Sequence, residues 1–228
     1  MKILYYYPSH FPVKMYGGTP RVVQWLTREM VNLGHQVYLM ALSGSSLEGV
    51  ETIGIEEDAT PEQIVSRVPG DADLVHLFTY QTLPNFKKPI LVTFDRLHRV
   101  ENFHPNTIFV SKRHAQLHNS TYYIHHGLPY QDFPCSSEKL DYYAYIGPVN
   151  SFGKNVEVAI HLAKDAGINL LIAGGYRFSF HNIIRSMGII GESKKKELLG
   201  RARGLIFPGV CLLHSTWTTR IGGVNGRL

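Results

Sequence analysis

Ile3-Leu4-Tyr5-Tyr6-Tyr7, then Gly17-Gly18, then Thr19 to Leu33, then Val37-Tyr38-Leu39-Met40-Ala41: this opening stretch decides the fold. The first run is short, apolar and aromatic, and it reads as a strand. Gly17-Gly18 opens a helix from about Thr19 to Leu33, in which Val22, Val23, Leu26, Met30 and Leu33 recur at helical spacing. Gly34 stands where a helix C-cap belongs, and a strand resumes at Val37. A strand, a helix long enough to cross over and a second strand make a parallel pair.

The same rhythm continues outward. Leu74 to Phe78, Ile90 to Phe94, Thr107 to Val110 and Tyr122 to Ile124 are strand candidates, with short helices at Pro61 to Arg67 and Lys112 to His118. A second series starts after Phe133-Pro134-Cys135-Ser136-Ser137. It holds a strand at Tyr142 to Ile146, and a helix at Asn155 to Ala166 with Val158, Ile160, Leu162 and Ala163 apolar. A strand at Asn169 to Ala173 follows, then a weaker one at Met187 to Ile190, a helix at Ser193 to Arg201 and a strand at Leu205 to Phe207. Alternation of this kind implies parallel sheets covered on both faces. The expectation is an α/β protein with two Rossmann-like domains, 1–135 and 141–228. From Val210 the rhythm breaks, and the second domain is expected to be incomplete.

Composition narrows the function classes. With 44% hydrophobic and 18% charged residues, the chain suits a globular protein with a core of its own. Its two cysteines, Cys135 and Cys211, show no Cys-x-x-Cys spacing, which argues against a disulfide framework or a cysteine-ligated zinc and makes a reducing cytoplasm the default. No signal peptide and no membrane-length apolar run can be read. The formal charge of +5 suits phosphorylated ligands, anionic membrane surfaces or nucleic acid without choosing among them. Basic residues are scattered, apart from Lys194-Lys195-Lys196, which reads as a solvated helix face.

Ligands of open parallel sheets collect beyond the carboxyl ends of the strands, where helix N-termini favour anions. Gly17 and Gly18 lie on such a loop. They either let backbone amides approach a ligand or supply a turn that needs positive φ. The second such loop is Gly147-Pro148-Val149-Asn150-Ser151-Phe152-Gly153-Lys154-Asn155, where Lys154 at a helix start would neutralise phosphate or stand solvated. It is not a P-loop: five residues separate its glycines, and Asn155 replaces the magnesium-holding Ser/Thr. His114 and His118 have a zinc-compatible spacing, but Ala115-Gln116-Leu117 between them lacks a protease glutamate, so an exposed polar face is expected. His125-His126-Gly127 closes the first series as either hinge or cleft lining.

These residues together resemble the GT-B glycosyltransferases of family 4. Tyr16-Gly17-Gly18-Thr19-Pro20-Arg21-Val22-Val23 with Leu33-Gly34-His35-Gln36-Val37 resembles the family's opening. Asp73-Leu74-Val75-His76 and Phe109-Val110-Ser111 resemble later strands of its first domain. Tyr145-Ile146-Gly147 to Lys154, Leu171-Ile172-Ala173-Gly174-Gly175, Gly188-Ile189-Ile190-Gly191, and Leu198-Leu199 through Phe207-Pro208 resemble its donor domain. The resemblance implies an acceptor site on the first domain, a nucleotide-sugar site on the second, and retaining transfer with neither bound metal nor cofactor, the nucleotide-sugar being a substrate. It makes Gly17, Gly18, Gly147, Lys154 and Gly174 donor or phosphate candidates, and Asp95, His98 and His126 cleft candidates. The implied partners are a nucleotide-sugar and a saccharide, lipid or small-molecule acceptor, with peripheral membrane contact compatible and nucleic acid not expected.

Three departures stand out. Pro148 occupies a position where the family commonly has Arg. No histidine directly follows the fourth or fifth strand, so no catalytic histidine is transferred. The family's paired glutamates have no counterpart, because no acidic residue follows Glu197. The expectation is therefore a chain that transfers sugar poorly as it stands. The alternatives are a non-catalytic nucleotide-binding module or a fragment with a Rossmann-like fold. An oxidoreductase is disfavoured, since neither glycine turn reads Gly-x-Gly-x-x-Gly.

Overall fold

A computed structural model of the chain describes residues 1–14, 17–79, 83, 86–96, 102–133 and 135–209. It divides into two compact units, Met1–Pro134 and Cys135–Leu228. The irregular tail expected from Val210 onward, with Trp217, lies outside the described residues, as does Tyr16.

The first unit runs β1 (Lys2–Tyr6), α1 (Gly18–Asn32), β2 (Gln36–Leu42), β3 (Glu51–Ile55), α2 (Pro61–Ser66), β4 (Leu74–Leu77), β5 (Ile90–Phe94), β6 (Thr107–Phe109) and α3 (Lys112–Leu117). Its strands are parallel, in the order β3-β2-β1-β4-β5-β6. The register explains why the central strands are almost wholly apolar. Ile3 lies between Val37 and Leu74, and Tyr5 between Leu39 and His76. Ile3, Tyr5, Val37 and Leu39 pack with Val23 of α1, whereas Leu4, Tyr6, Tyr38, Met40, Val75 and Leu77 pack with Ile64 of α2. Alternate side chains thus fill two separate cores, as a parallel sheet covered on both faces requires.

Local chemistry sets the helix starts. Thr60 and Gln63 form a reciprocal capping box, with Pro61 in the first turn of α2. Leu33, read above as the last apolar position of the first helix, is instead 69% exposed at its C-cap. The edge strand β3 escaped the sequence reading because Glu51 and Gly54 interrupt its apolar pattern; pairing with β2 makes it a strand. Tyr122 to Ile124 is reduced to one bridge, Phe109 to Tyr123, with the segment exposed.

The histidines of α3 correct the expectation of an exposed polar face. His114 is only 4% exposed, with its ring 5.1 Å from Phe109 and 5.7 Å from Phe94. His118 stacks on Phe109 at 5.1 Å and 10°. This side of the short helix faces a sheet surface made of Phe94 and Phe109, so the two imidazoles serve as aromatic packing. Burial, reinforced by neighbouring His118, pushes the His114 pKa down.

The second unit runs β7 (Tyr143–Ile146), α4 (Val156–Ala166), β8 (Leu170–Ala173), β9 (Ile184–Ser186), α5 (Glu192–Arg201) and β10 (Gly204–Leu205). Its strands are again parallel, in the order β10-β7-β8-β9. Tyr145 and Ile172 pack with Val156, Ala159, Ile160 and Ala163 of α4, while Ala144 and Ala173 pack with Leu198 and Ala202 at α5. Val158 and Leu162 do not join the core face; they are 38% and 48% exposed, because the buried stripe follows 156, 159, 160 and 163. The third strand is Ile184–Ser186, in register with Leu170 to Ile172, and not Met187 to Ile190. Gly188, at φ +70 with the Tyr176 ring against it, marks where the chain has left the strand. No described helix is long and apolar enough to cross a membrane.

Candidate functional site

Strand order locates a crevice in each unit. In the first sheet the order reverses between β1 and β4, and in the second between β7 and β10. Loops diverge at such a point and leave a crevice beyond the carboxyl ends of the strands. Both glycine turns singled out in the sequence follow the first strand of their sheet, at that point.

In the first unit, Gly17 is the N-cap of α1 at φ +135, and a Cβ there would lie 2.5 Å from the ring of Pro20. Turn geometry alone therefore requires glycine. Gly18 differs, since nothing lies within 4 Å of a Cβ placed on it. Gly18→Ala should leave stability unchanged or raise it by up to about 1 kcal/mol, read by urea unfolding, because alanine is the better helix former. A loss of more than that would show a packing demand that the structure does not contain.

The hydroxyl of Thr19 donates to Oδ2 of Asp95, which leaves the end of β5. His126 Nε2 stands 3.9 Å from the same oxygen, with the Asp95 side chain 11% exposed and that of His126 32% exposed. Partial burial pushes the His126 pKa down and the Asp95 carboxylate partly opposes it, so the ring is largely neutral at pH 7. Gly17, Gly18, Asp95 and His126 are thus assembled around one helix start. His98 lies outside the described residues. His126 also lines a cavity of about 570 Å³ between α1 and the sheet, walled by apolar residues such as Trp25, Met30 and Phe78. The cavity's polar lining includes His76, whose Nε2 lies 2.8 Å from the Thr93 hydroxyl.

In the second unit the ladder extends past β7 through the Gly147 amide, which donates to Ala173 O at 2.9 Å. A 3-10 turn at Phe152–Lys154 follows, and Asn155, in the left-handed region at φ 48, leads into α4. Lys154 therefore stands just ahead of the helix. Its carbonyl accepts from the buried Tyr145 hydroxyl at 3.1 Å, which fixes the turn, and its Nζ lies 4.9 Å from the Phe207 ring centroid, beyond β10. Asn155 gives α4 no side-chain cap, so the first amides of the helix keep their donors unspent on such a cap.

Gly174 has a reason of its own. At φ +122, a Cβ would fall 2.0 Å from the carbonyl oxygen of Gly147, and one on Gly175 would fall 2.5 Å from Val149. The loops after β7 and β8 are pressed backbone to backbone, bringing Gly147, Lys154 and Gly174 together. The loop after β8 also supplies Arg177, whose guanidinium pairs with Glu157 in the first turn of α4. No sequence signal marked that pair, nor the contact of Thr19 with Asp95 across 76 positions. Among the described residues, no group of three or more His, Cys, Asp or Glu is placed to share a metal ion.

Charge divides unevenly between the units. Residues 1–134 hold 11 Lys/Arg against 12 Asp/Glu, and residues 135–228 hold 12 against 6. The positive excess belongs to the unit that carries Lys154 and Arg177.

No protein-family model and no curated protein matches this chain. Solved structures do. AviGT4, a glycosyltransferase involved in avilamycin A biosynthesis, is similar with a TM-score of 0.73 at 21% identity, over 92% of this chain and 70% of that one. An alpha-glucosyltransferase in complex with UDP and a 13-mer DNA containing a central A:G mismatch is similar at 0.62 and 12%, over 90% and 71%. MurG of Acinetobacter baumannii is similar at 0.51 and 10%, over 90% and 72%. The fold is GT-B. At these identities the likeness establishes the fold, and chemistry has to be argued from the residues.

Proposed function

We propose that this protein is a glycosyltransferase that uses a nucleotide-sugar donor, binding the donor's diphosphate on the second unit and the acceptor on the first. The observation that carries the reading is the turn from Gly147 to Asn155, which places Lys154 and the uncapped start of α4 at the strand-order reversal of a positively charged unit. Backbone amides at a helix start with an ammonium just ahead of it suit a departing diphosphate, where negative charge accumulates as the sugar leaves. UDP held by a neighbour of the same fold supports a nucleotide there. These groups would let the diphosphate depart without a bound metal; retention additionally requires the acceptor hydroxyl to attack the sugar face that the diphosphate leaves. On the first unit, Asp95 with Thr19 and His126 offers hydrogen-bonding groups to an acceptor hydroxyl. Saccharide, lipid and small-molecule acceptors all fit this reading. A cytoplasmic location would supply the donor.

Calorimetric titration with nucleoside diphosphates tests it. Lys154→Ala should weaken binding at least about tenfold, as expected for loss of a charge-assisted hydrogen bond worth roughly 1.5–3 kcal/mol. Thermal stability should barely move. Equal affinity of the variant and the parent chain would make Lys154 a solvated side chain and remove the main support for the reading.

A further inference from the structure

We infer that Arg177 is a second diphosphate-binding residue, held by Glu157 until the donor's phosphate takes its place. This rests on the reading that a nucleoside diphosphate binds at the turn from Gly147 to Asn155, and it adds a residue from a different loop.

Three features single out Arg177. The first is its loop's position. Gly174 sits on the Gly147 carbonyl and Gly175 on Val149, so the chain that delivers Arg177 runs directly beside the Lys154 loop. The second is its anchoring. The Ser186 hydroxyl accepts from the Arg177 amide and donates to the Arg177 carbonyl, both at 2.9 Å, while the flanking Tyr176 and Phe178 are 80% and 82% exposed. The fold thus fixes the Arg177 backbone between two aromatic side chains that are left uncovered. The third is its target. The guanidinium reaches Glu157, in the first turn of the helix whose opening amides have no side-chain cap.

The energetics favour an exchange. Both partners of the Arg177–Glu157 pair are nearly half exposed, at 44% and 48%. Such a pair is screened and contributes little. A guanidinium on a phosphate forms two parallel charge-assisted bonds, and Arg is suited to that geometry where Lys acts as a point charge. A diphosphate carries more charge than Lys154 can neutralise, and Arg177 is the arginine within the two adjoining loops, 147–155 and 174–183. Glu157 is then the competitor. Its carboxylate occupies Arg177 in the free protein and repels phosphate in the bound one.

The test uses the full chain, titrated with UDP, GDP and ADP and with the corresponding nucleosides. Arg177→Gln is expected to weaken the tightest diphosphate tenfold or more while leaving its nucleoside unchanged. Glu157→Gln is expected to tighten the same diphosphate about threefold or more, because it frees Arg177 and removes a like charge. A merely structural ion pair would give another pattern: both variants would lower the melting temperature alike, and neither would tighten binding. Arg177→Gln within twofold of the parent chain, or Glu157→Gln weakening the ligand as Arg177→Gln does, overturns the inference. If affinity falls in Lys154→Ala but not in Arg177→Gln, the donor site stands and Arg177 does not belong to it. Absence of diphosphate binding by the parent chain defeats the donor reading itself, and this inference with it.

Discussion

Gly174→Ala is expected to unfold the second unit, or to destabilise it by more than about 4 kcal/mol. Two independent penalties meet at this position. The φ of +122 is a conformation that side chains with a Cβ rarely adopt, and that alone costs on the order of 1–3 kcal/mol. The new methyl carbon would also stand 2.0 Å from a backbone carbonyl, that of Gly147. A flexible side chain could move aside, but this oxygen belongs to the residue whose amide bonds Ala173 and extends the β7–β8 ladder. Relief would therefore part the two central strands of the sheet. Hydrogen exchange followed on peptides from β7 and β8 measures the effect, since protection there reports the stability of the unit. Protection within about 1 kcal/mol of the parent chain would show that the loops separate without cost to the sheet. Gly18→Ala provides the contrast, at a glycine with open space around it.

The second large effect is acid lability of the first unit. His76 is 6% exposed on β4, between the Tyr5 and Phe78 rings, and burial lowers its pKa from 6.5 to about 4. The fold favours the neutral ring, so the unfolded chain takes up the proton first. Above pH 6.5 this group makes stability independent of pH. As pH falls below 6.5 stability is lost, by about 2 kcal/mol at pH 5 and about 3 kcal/mol at pH 4, below which the loss levels off. His114, also buried and lowered, adds a loss of the same sign. Urea unfolding at pH 7 and pH 5 should show the drop. In the double variant His76→Phe with Thr93→Val, which removes both partners of the buried hydrogen bond, the difference between the two pH values should shrink by about 2 kcal/mol. An unchanged difference would place the acid sensitivity elsewhere.

Both effects concern residues whose importance the sequence conveyed unequally. Gly174 stands out in the sequence as half of a glycine pair ending a strand, and the resemblance makes it a donor or phosphate candidate. In the structure its glycine is demanded by the Gly147 carbonyl, a backbone atom 27 positions away in sequence. His76 looked like any residue of an apolar strand. Its pKa depends on what covers it, and a one-dimensional pattern does not contain that. The same limit hid the histidines of α3: a polar spacing of four suggested a solvated face, yet the sheet surface under that helix is aromatic and absorbs imidazole rings as packing.

What the sequence determined by itself is the α/β alternation, the parallel character of both sheets and the placing of a glycine turn after the first strand of each. These follow from local rules: strands covered on both faces must be apolar throughout, and crossover helices must carry one apolar stripe. Only the tertiary structure decided which side chains meet. Thr19 bonds Asp95 in the first unit, and in the second Lys154 is fixed by Tyr145 and lies over Phe207 while Arg177 pairs with Glu157, because parallel strands bring their carboxyl ends to one rim of each sheet. Strand order sets that rim, and strand order is fixed by long-range pairing. The sequence therefore specified each loop but not its neighbours, and the chemistry of the site belongs to the neighbours.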